Sequence, residues 1–238
     1  MASPYNLEIH DDCTDCPLRR DGRFCDLSDG TVAALNAATF STAYPKGATL
    51  FVEGETPRGV FILCSGRAKL TTSSSEGKTL ILKITEPGEI LGASAAILGK
   101  PYEVTAEIME PSQVNFVRLA DFLALLERHP DACLRTAQQL SAKYHDAQRE
   151  VRTLGLSQTT SEKLARLILG WERSGERTPK GVRVKVLLTH EEIGQLVGTT
   201  RETVTRLLGD FKRKRVIDVT GSNIYVMRHD ALEAMVSF

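Results

Sequence analysis

Between Ala48 and Leu119 the apolar residues come in short runs: Leu50–Val52, Val60–Leu63, Lys69–Thr72, Thr79–Thr85, Val104–Ile108 and Val114–Val117. Glycines at 54, 59, 66, 77, 88, 92 and 99 punctuate them. Many short strands joined by glycine turns predict an antiparallel sandwich or barrel. The period then changes. After Pro130, the residues Cys133, Ala137, Leu140, Tyr144, Ala147, Val151 and Leu154 recur at alternating spacings of four and three. That is a heptad seam, and it predicts one long helix. Such a seam can pack on its own domain or on a second copy. The charged flanks Arg135, Lys143, Asp146, Arg149 and Glu150 favour the second copy, with Ala137, Leu140, Tyr144, Ala147, Val151 and Leu154 in the interface. Residues 157–160 read as a polar hinge. An amphipathic helix follows over Ser161–Trp171, then a strand over 182–188. A hairpin joins 216–219 to 224–226 through Thr220-Gly221-Ser222-Asn223.

Leu188–Arg215 has a different pattern again, that of two short helices around a glycine. Thr189 with Glu192 fits a capping box, and Ile193, Leu196 and Val197 give the first helix one apolar face. Gly198 breaks it. Thr199 with Glu202 reads as a second capping box, after which Val204, Leu207, Leu208 and Phe211 can face a core. Arg201, Glu202, Thr205 and Arg206 then share the opposite face. Arginine can bond both acceptors of guanine, and glutamate can accept from cytosine. The segment therefore reads as a DNA-binding helix-turn-helix, winged by the hairpin that follows. The competing reading, a solvated amphipathic helix, leaves two successive capping boxes around a glycine turn unexplained.

Length and composition bound the rest. At 238 residues the chain holds one large domain or two small ones. Its 42% hydrophobic and 25% charged content is ordinary for a globular protein. No apolar run approaches the ~20 residues of a membrane helix. The acidic, polar start MASPYNLEIHDDC lacks the pattern of a signal peptide, so a cytoplasmic location is expected. The zero net charge hides an asymmetry. Residues 1–150 carry 15 Lys+Arg against 20 Asp+Glu, net −5, and residues 151–238 carry 15 against 10, net +5. Lys212, Arg213, Lys214 and Arg215 concentrate that excess beside the second helix. There Lys212 and Lys214 can meet phosphates, and Thr199 and Thr200 join them as candidate DNA-binding residues.

Two other features bear on chemistry. Gly77-Lys78-Thr79 resembles the end of a phosphate-binding loop, but Thr72 stands where its first glycine belongs and a strand follows where a helix is needed. Ser73–Gly77 is better read as a hairpin turn. The five cysteines suit reduced thiols or metal ligands rather than disulfides. Cys13, Cys16 and Cys25 form C-x2-C-x8-C in a polar context with few apolar residues to pack. Thiolates at i and i+3 can reach one metal, and a third can complete a face. Arg19, Arg20 and Arg23 between them would favour thiolate over thiol. An unliganded tail or thiol switch remains the alternative. Cys64, in an apolar run, and Cys133, on the seam, read as packing thiols, with Cys64 the possible fourth ligand.

The whole arrangement from about residue 31 onward resembles the Crp/Fnr superfamily of bacterial transcription regulators. LTHEEIGQLVGTTRETVTRLL matches that family's helix-turn-helix almost throughout. Pro45-Lys46-Gly47, Gly54-Glu55, Ser65-Gly66 and Glu86-Pro87-Gly88-Glu89 match its β-roll turns. The resemblance implies an α+β fold in four parts. These are a cysteine-containing segment (1–30), an antiparallel, cyclic-nucleotide-binding-like β-roll sensor (31–120), a dimerisation helix (121–156) and a winged helix-turn-helix domain (157–238). It implies a homodimer on a palindromic DNA site, RNA polymerase as partner if the protein activates, and base reading by Arg201, Glu202 and Arg206. It implies no enzymatic activity. On the sensing side the chain departs from the family. Ala93 stands where cyclic-nucleotide binders have a ribose-binding glutamate, and Glu103-Val104 where they have a phosphate-binding Arg-Ser pair. A carboxylate there repels phosphate, so cyclic AMP is not expected, and the β-roll is left open to another ligand. The oxygen-sensing branch holds an iron–sulfur cluster on an N-terminal cysteine cluster plus one cysteine of the β-roll. Here that last position reads Asn115. An iron–sulfur cluster is expected, with zinc second.

Two other function classes compete. A cysteine-dependent redox enzyme would use Cys13-x-x-Cys16, but the βαβ surroundings of such a motif are missing. The five histidines are scattered singly, with no nucleophile–base pair legible. A non-specific architectural DNA binder would need a large basic excess, which the balanced charge denies.

Overall fold

The computed structural model describes residues 5, 7, 9–10, 12–20, 23–156 and 159–236. Within these, the side chains of residues 20, 149–150 and 152–156 are left aside. The chain divides into two compact units, residues 1–148 and 149–238.

The first unit opens with a 3-10 turn, Pro17–Arg20, and a helix, α1 (Asp29–Ala38). Eight strands follow: β1 (Thr39–Tyr44), β2 (Thr49–Phe51), β3 (Gly59–Leu63), β4 (Ala68–Ser73), β5 (Thr79–Thr85), β6 (Ile90–Leu91), β7 (Thr105–Ile108) and β8 (Ser112–Arg118). A short helix, α2 (Ala93–Leu98), lies between β6 and β7. The strands form two antiparallel four-stranded sheets, in the orders β1-β8-β3-β6 and β2-β7-β4-β5. The run-and-glycine pattern predicts the antiparallel strands, and their two-sheet arrangement is the β-roll that the resemblance implies. All five residues of β3 are buried, which explains its unbroken apolar run.

Several elements escape the pattern. β1 is largely exposed along its length and shows no apolar alternation, yet it pairs with β8 from Thr39–Val117 to Tyr44–Ser112. β6 is two residues long, too short for any periodicity. Two helices end the unit's sequence, α3 (Leu119–Arg128) and α4 (Pro130–Leu156). α4 is the predicted seam helix, and the boundary between the compact units falls inside it. The N-terminal segment does contribute to packing, contrary to its polar reading. Phe24 is 1% exposed and Leu27 6%, both in a core with Val32, Leu35, Val60, Ile62 and Phe122.

The second unit contains α5 (Thr160–Glu172), β9 (Glu176–Thr178), β10 (Gly181–Lys185), α6 (His190–Val197), α7 (Arg201–Arg213), β11 (Ile217–Thr220), β12 (Asn223–Val226) and α8 (His229–Val236). Its strands make one antiparallel sheet, β11-β12-β10-β9. The proposed hinge lies partly outside the described residues, at 157–158. Thr159 caps α5 by accepting from the Glu162 amide at 3.2 Å, and Thr160 is already helical. Leu164, Ala165 and Ile168 of α5 share a core with Ile193, Val197, Val204, Leu207, Leu208 and Phe211. β9, three polar residues long, is too short to read from sequence, and α8 also escaped the reading.

Candidate nucleic-acid interface and cysteine site

The helix-turn-helix is built by its caps. Thr189 accepts from the Glu192 amide at 3.1 Å while the Glu192 carboxylate accepts from the Thr189 amide at 2.8 Å, completing the predicted capping box. Gly198 ends α6 with φ +73°, a left-handed conformation that residues with a Cβ rarely adopt. The second cap differs from expectation. Thr200, not Thr199, caps α7, accepting from the Thr203 amide at 3.3 Å. Thr199 instead donates its amide to the Gly194 carbonyl at 2.8 Å and closes the turn. The register of α7 follows from its buried side: Val204, Leu207, Leu208 and Phe211.

The outward side of α7 carries Arg201, Glu202, Thr205 and Arg206, all exposed. Thr205 is partly occupied: its hydroxyl donates to the Arg201 carbonyl at 3.0 Å and meets His190 Nδ1 at 2.8 Å, tying α7 to α6. Arg206 lies 3.7 Å from Asp210, and Arg213 pairs with the same carboxylate. Lys212 is engaged by Asp218 of β11 at 2.9 Å, whereas Lys214 is exposed at the end of α7. Lys180 also pairs with Asp218, and bonds from both lysines hold that carboxyl well below the usual carboxylate range. Sequence reasoning missed Asp210, Asp218 and His190 because spacing does not show which acidic or imidazole groups compete for the basic ones.

The seam positions of α4 turn away from its inner side. Ala132 and Thr136 are buried, while Gln139 and Lys143 bond both backbone groups of Ile90. Gln139 Oε1 accepts the Ile90 amide at 3.1 Å, and Lys143 Nζ donates to its carbonyl at 2.9 Å. Burial pushes the Lys143 ammonium down to about 8, with Glu89 opposing. By contrast Ala137, Tyr144, Ala147 and Val151 are exposed and Leu140 half-buried; Tyr144 is 63% and Val151 69% exposed. The Leu154 side chain lies outside the described residues.

The cysteine segment meets the β-roll at one cavity. Cys13, Cys16, Cys25 and Cys64 line it together with Leu18, Val32, Leu35, Ile62 and Asn115. Cys64 follows β3 directly, so the packing reading of this thiol misses its neighbours. Cys133 is exposed on α4, away from this lining. Asn115, on β8, is 4% exposed and donates from Nδ2 to Cys13 Sγ at 3.6 Å. Its Oδ1 has no partner among the described residues.

The segment is pinned at several points. The buried Gln113 amide brackets His10, accepting its amide at 2.9 Å and donating to its carbonyl at 2.7 Å. Asn36 accepts from the Cys13 amide at 3.2 Å, and the Phe24 amide donates to the Gly88 carbonyl at 3.2 Å. Arg23 crosses Gly88, where a Cβ would come within 2.4 Å of its Cδ. α4 grips the next stretch. Arg135 donates to the Asp26 carbonyl at 2.9 Å and to its carboxylate at 2.5 Å. Asp131 accepts from the Ser28 amide and the Thr31 hydroxyl, both at 2.8 Å. Burial opposes the Asp131 charge, but these bonds outweigh it and hold the pKa at about 2.

The expected role of Arg19 and Arg23 is not met, and the Arg20 side chain lies outside the described residues. Arg19 pairs with Asp29 and the Thr14 carbonyl, and Arg23 with Glu86 and the Pro87 carbonyl. Burial, reinforced by the neighbouring cysteines, raises the Cys13 thiol, pushes Cys25 up to about 12 and raises Cys64. Arg19 and Arg23 spend their charge on carboxylates and carbonyls rather than on the thiols of Cys13, Cys25 and Cys64. Among the described residues no group of three or more His, Cys, Asp or Glu is disposed to hold a metal ion. The donor chemistry nonetheless suits a sulfur-bound group: four thiols and no carboxylate line the cavity.

Comparison with known proteins matches these two units separately. Residues 41–129 match the cyclic nucleotide-binding domain family, and residues 162–235 the Crp-like helix-turn-helix domain family. The chain is 27% identical over 216 residues to a CRP-like cAMP-activated global transcriptional regulator of Mycobacterium tuberculosis, covering 90% of this chain and 96% of that one. It is 26% identical over 191 residues to a global nitrogen regulator of Synechocystis sp., covering 79% and 85%. A CooA mutant from Carboxydothermus hydrogenoformans shares the fold, with a TM-score of 0.74, 24% identity and coverage of 86% and 90%. A cyclic-nucleotide-binding-type β-roll followed by a Crp-like helix-turn-helix, over most of the length of such regulators, makes the chain a member of the Crp/Fnr superfamily of DNA-binding transcription regulators.

Proposed function

We propose that the protein is a homodimeric, sequence-specific regulator whose DNA affinity is set by a signal received at the cysteine site. The observation that carries the DNA reading is α7 itself, an exposed Arg201–Glu202–Thr205–Arg206 face on a fully buried Val204–Leu207–Leu208–Phe211 face. In the major groove, Arg201 and Arg206 bond guanines, and Glu202 accepts from a cytosine. Thr199, Thr200 and Lys214 meet phosphates, and Lys212 joins them by leaving Asp218. The α4 seam pairs two chains, which sets two recognition helices about one DNA turn (~34 Å) apart on a palindrome. Where the protein activates, RNA polymerase is its further partner.

The relative from Mycobacterium tuberculosis is named for cyclic AMP. In this chain the usual pocket instead has Ala93 buried at the start of α2 and Glu103 bonded to Ser94 at 3.4 Å. No arginine stands there for a cyclic phosphate, so the signal is a different one. Cys13, Cys16 and Cys25 hold the sensor group, an iron–sulfur cluster in the first reading and zinc in the second. A bound cluster supplies chemistry that oxygen or nitric oxide destroys. The protein's own part is mechanical. Residues 13–25 hold the group, Asp26, Ser28 and Thr31 pass its position on, and Arg135 and Asp131 receive it on the dimer helix.

Anaerobically purified protein is expected to be brown and to bind a palindromic duplex. Air bleaches the absorption and changes the affinity, and Cys16→Ser removes both colour and response. Colourless, metal-free anaerobic protein with air-independent affinity would reject the cysteine signal and leave the DNA reading standing.

A further inference from the structure

The cavity that gathers the cysteines takes its fourth sulfur from outside the N-terminal segment. Cys13, Cys16 and Cys25 come from the surface segment, whereas Cys64 sits at the end of β3, a fully buried strand. Its backbone is fixed there: the Cys64 amide donates to the Gln113 carbonyl at 2.9 Å and its thiol lies 3.6 Å from the Ile62 carbonyl. Cys13 and Cys25 pack against the core beneath the segment, and Cys16 and Cys64 meet them at the same cavity, so four of the chain's five cysteines converge there. Asn115, where a β-roll cysteine was expected, lines the same cavity but carries no thiolate.

We propose, on the reading that the cysteine site holds the sensor group, that Cys64 is the fourth ligand of an iron–sulfur cluster held by Cys13, Cys16 and Cys25, with Asn115 beside it as a hydrogen-bond donor to sulfur. The donor set, four thiols, suits a cluster, and a cluster and zinc differ in the spacing they ask of it. A single tetrahedral zinc needs its thiolates about 3.8 Å apart, from Zn–S bonds of ~2.3 Å. A cluster interposes its own iron and sulfide, so its thiolates stand farther apart. The cavity measures about 20 Å³, room for one water-sized body. A cluster is larger than that, so loading it would have to widen the cavity. Each thiol gives up its proton as its sulfur binds iron, and each proton leaves to solvent. Asn115 Nδ2, 3.6 Å from Cys13 Sγ, donates to the resulting thiolate. The cluster thus ties residues 13–25 to the β-roll, one residue short of Asp26, which Arg135 of α4 holds.

The test compares full-length wild type, Cys64→Ser, Cys16→Ser and Cys133→Ser after anaerobic reconstitution with iron and sulfide. Iron, acid-labile sulfide, visible absorption and thermal unfolding are read for each. Wild type and Cys133→Ser are expected to hold iron and sulfide in equal amounts; Cys64→Ser and Cys16→Ser are expected to fall to background. A folded Cys64→Ser with wild-type iron, sulfide and spectrum, beside an empty Cys16→Ser, overturns the fourth-ligand assignment and leaves the proposed sensor in place. A wild type that takes up no iron overturns both. If Cys64→Ser does not fold, alkylation of the wild type decides, at an alkaline pH and for a time at which chelator-stripped protein labels at Cys64. Protection of Cys64 in the loaded protein supports the assignment, and equal labelling in both states overturns it.

Discussion

Replacing Arg206 by alanine tests the recognition face with a magnitude the structure sets. In the free protein its guanidinium lies 3.7 Å from Asp210, and its side chain is 66% exposed. An exposed pair four residues apart on a helix contributes about 0.3–0.5 kcal/mol. Asp210 also keeps Arg213 as an alternative partner, so releasing Arg206 costs less than that. A bidentate arginine–guanine contact discriminates by about 1–3 kcal/mol. The gain therefore exceeds the cost of breaking the pair. Arg206→Ala should weaken binding to the preferred duplex by roughly 5- to 150-fold, since 1.36 kcal/mol is a factor of ten. The loss should be confined to one base position in each half-site. Protein stability should be unchanged, because Arg206 contributes nothing to the buried side of α7. Fluorescence anisotropy at fixed salt gives the affinity, and selection from random duplexes gives the position-by-position preference. A selection profile identical to wild type would show that Arg206 does not read a base and that the recognition face of α7 is misplaced.

Lys214→Ala should weaken all sequences alike and reduce the slope of log affinity against log salt by about 1, as measured in a salt titration. Tyr144→Glu places a charge at a seam position that is 63% exposed in the single chain; the protein should sediment as a monomer and lose the palindrome, and an unchanged sedimentation coefficient would put the interface elsewhere. Phe211→Ala empties a site that is 2% exposed and should cost about 3–5 kcal/mol in denaturant unfolding of the second unit, while a cost below 1 kcal/mol would contradict its place in that core. His229 donates to Glu172 at 2.7 Å and to Glu233 at 3.1 Å, and the Glu172 bond raises its pKa. Its contribution to stability is therefore fully present below the unfolded value of about 6.5 and is lost as pH rises through the higher folded value. His229→Gln should flatten that part of the thermal-unfolding profile and leave the remainder unchanged.

Much of this protein is legible in its sequence, for identifiable reasons. The glycine-punctuated runs become β2–β5, β7 and β8 because each strand buries side chains against a facing sheet and each turn needs a permissive residue. The helix-turn-helix is legible because its signals are local: a capping box four residues long, a glycine at φ +73° and a 3.6-residue apolar period. Where locality failed, so did the reading. The cap of α7 belongs to Thr200 rather than Thr199, a one-residue choice set by how the turn closes on Gly194. Edge strand β1 and the two-residue β6 exist through their partners rather than their own composition.

The cysteine site shows the same division. By itself the sequence determined three thiols in a short segment and the resemblance that gives them meaning. Only the tertiary structure decided that Cys64 joins them, that Arg19 and Arg23 serve carboxylates and carbonyls instead, and that Asp131 and Arg135 hold the segment's far end. Cys13 and Cys64 are 51 positions apart in the chain. No periodicity reaches that far; what brings them together is the pairing of β3 with β8 and the burial of Phe24 and Leu27 beneath the segment. Local chemistry is written in neighbouring residues, while convergence of distant ones depends on which surfaces the fold buries against each other.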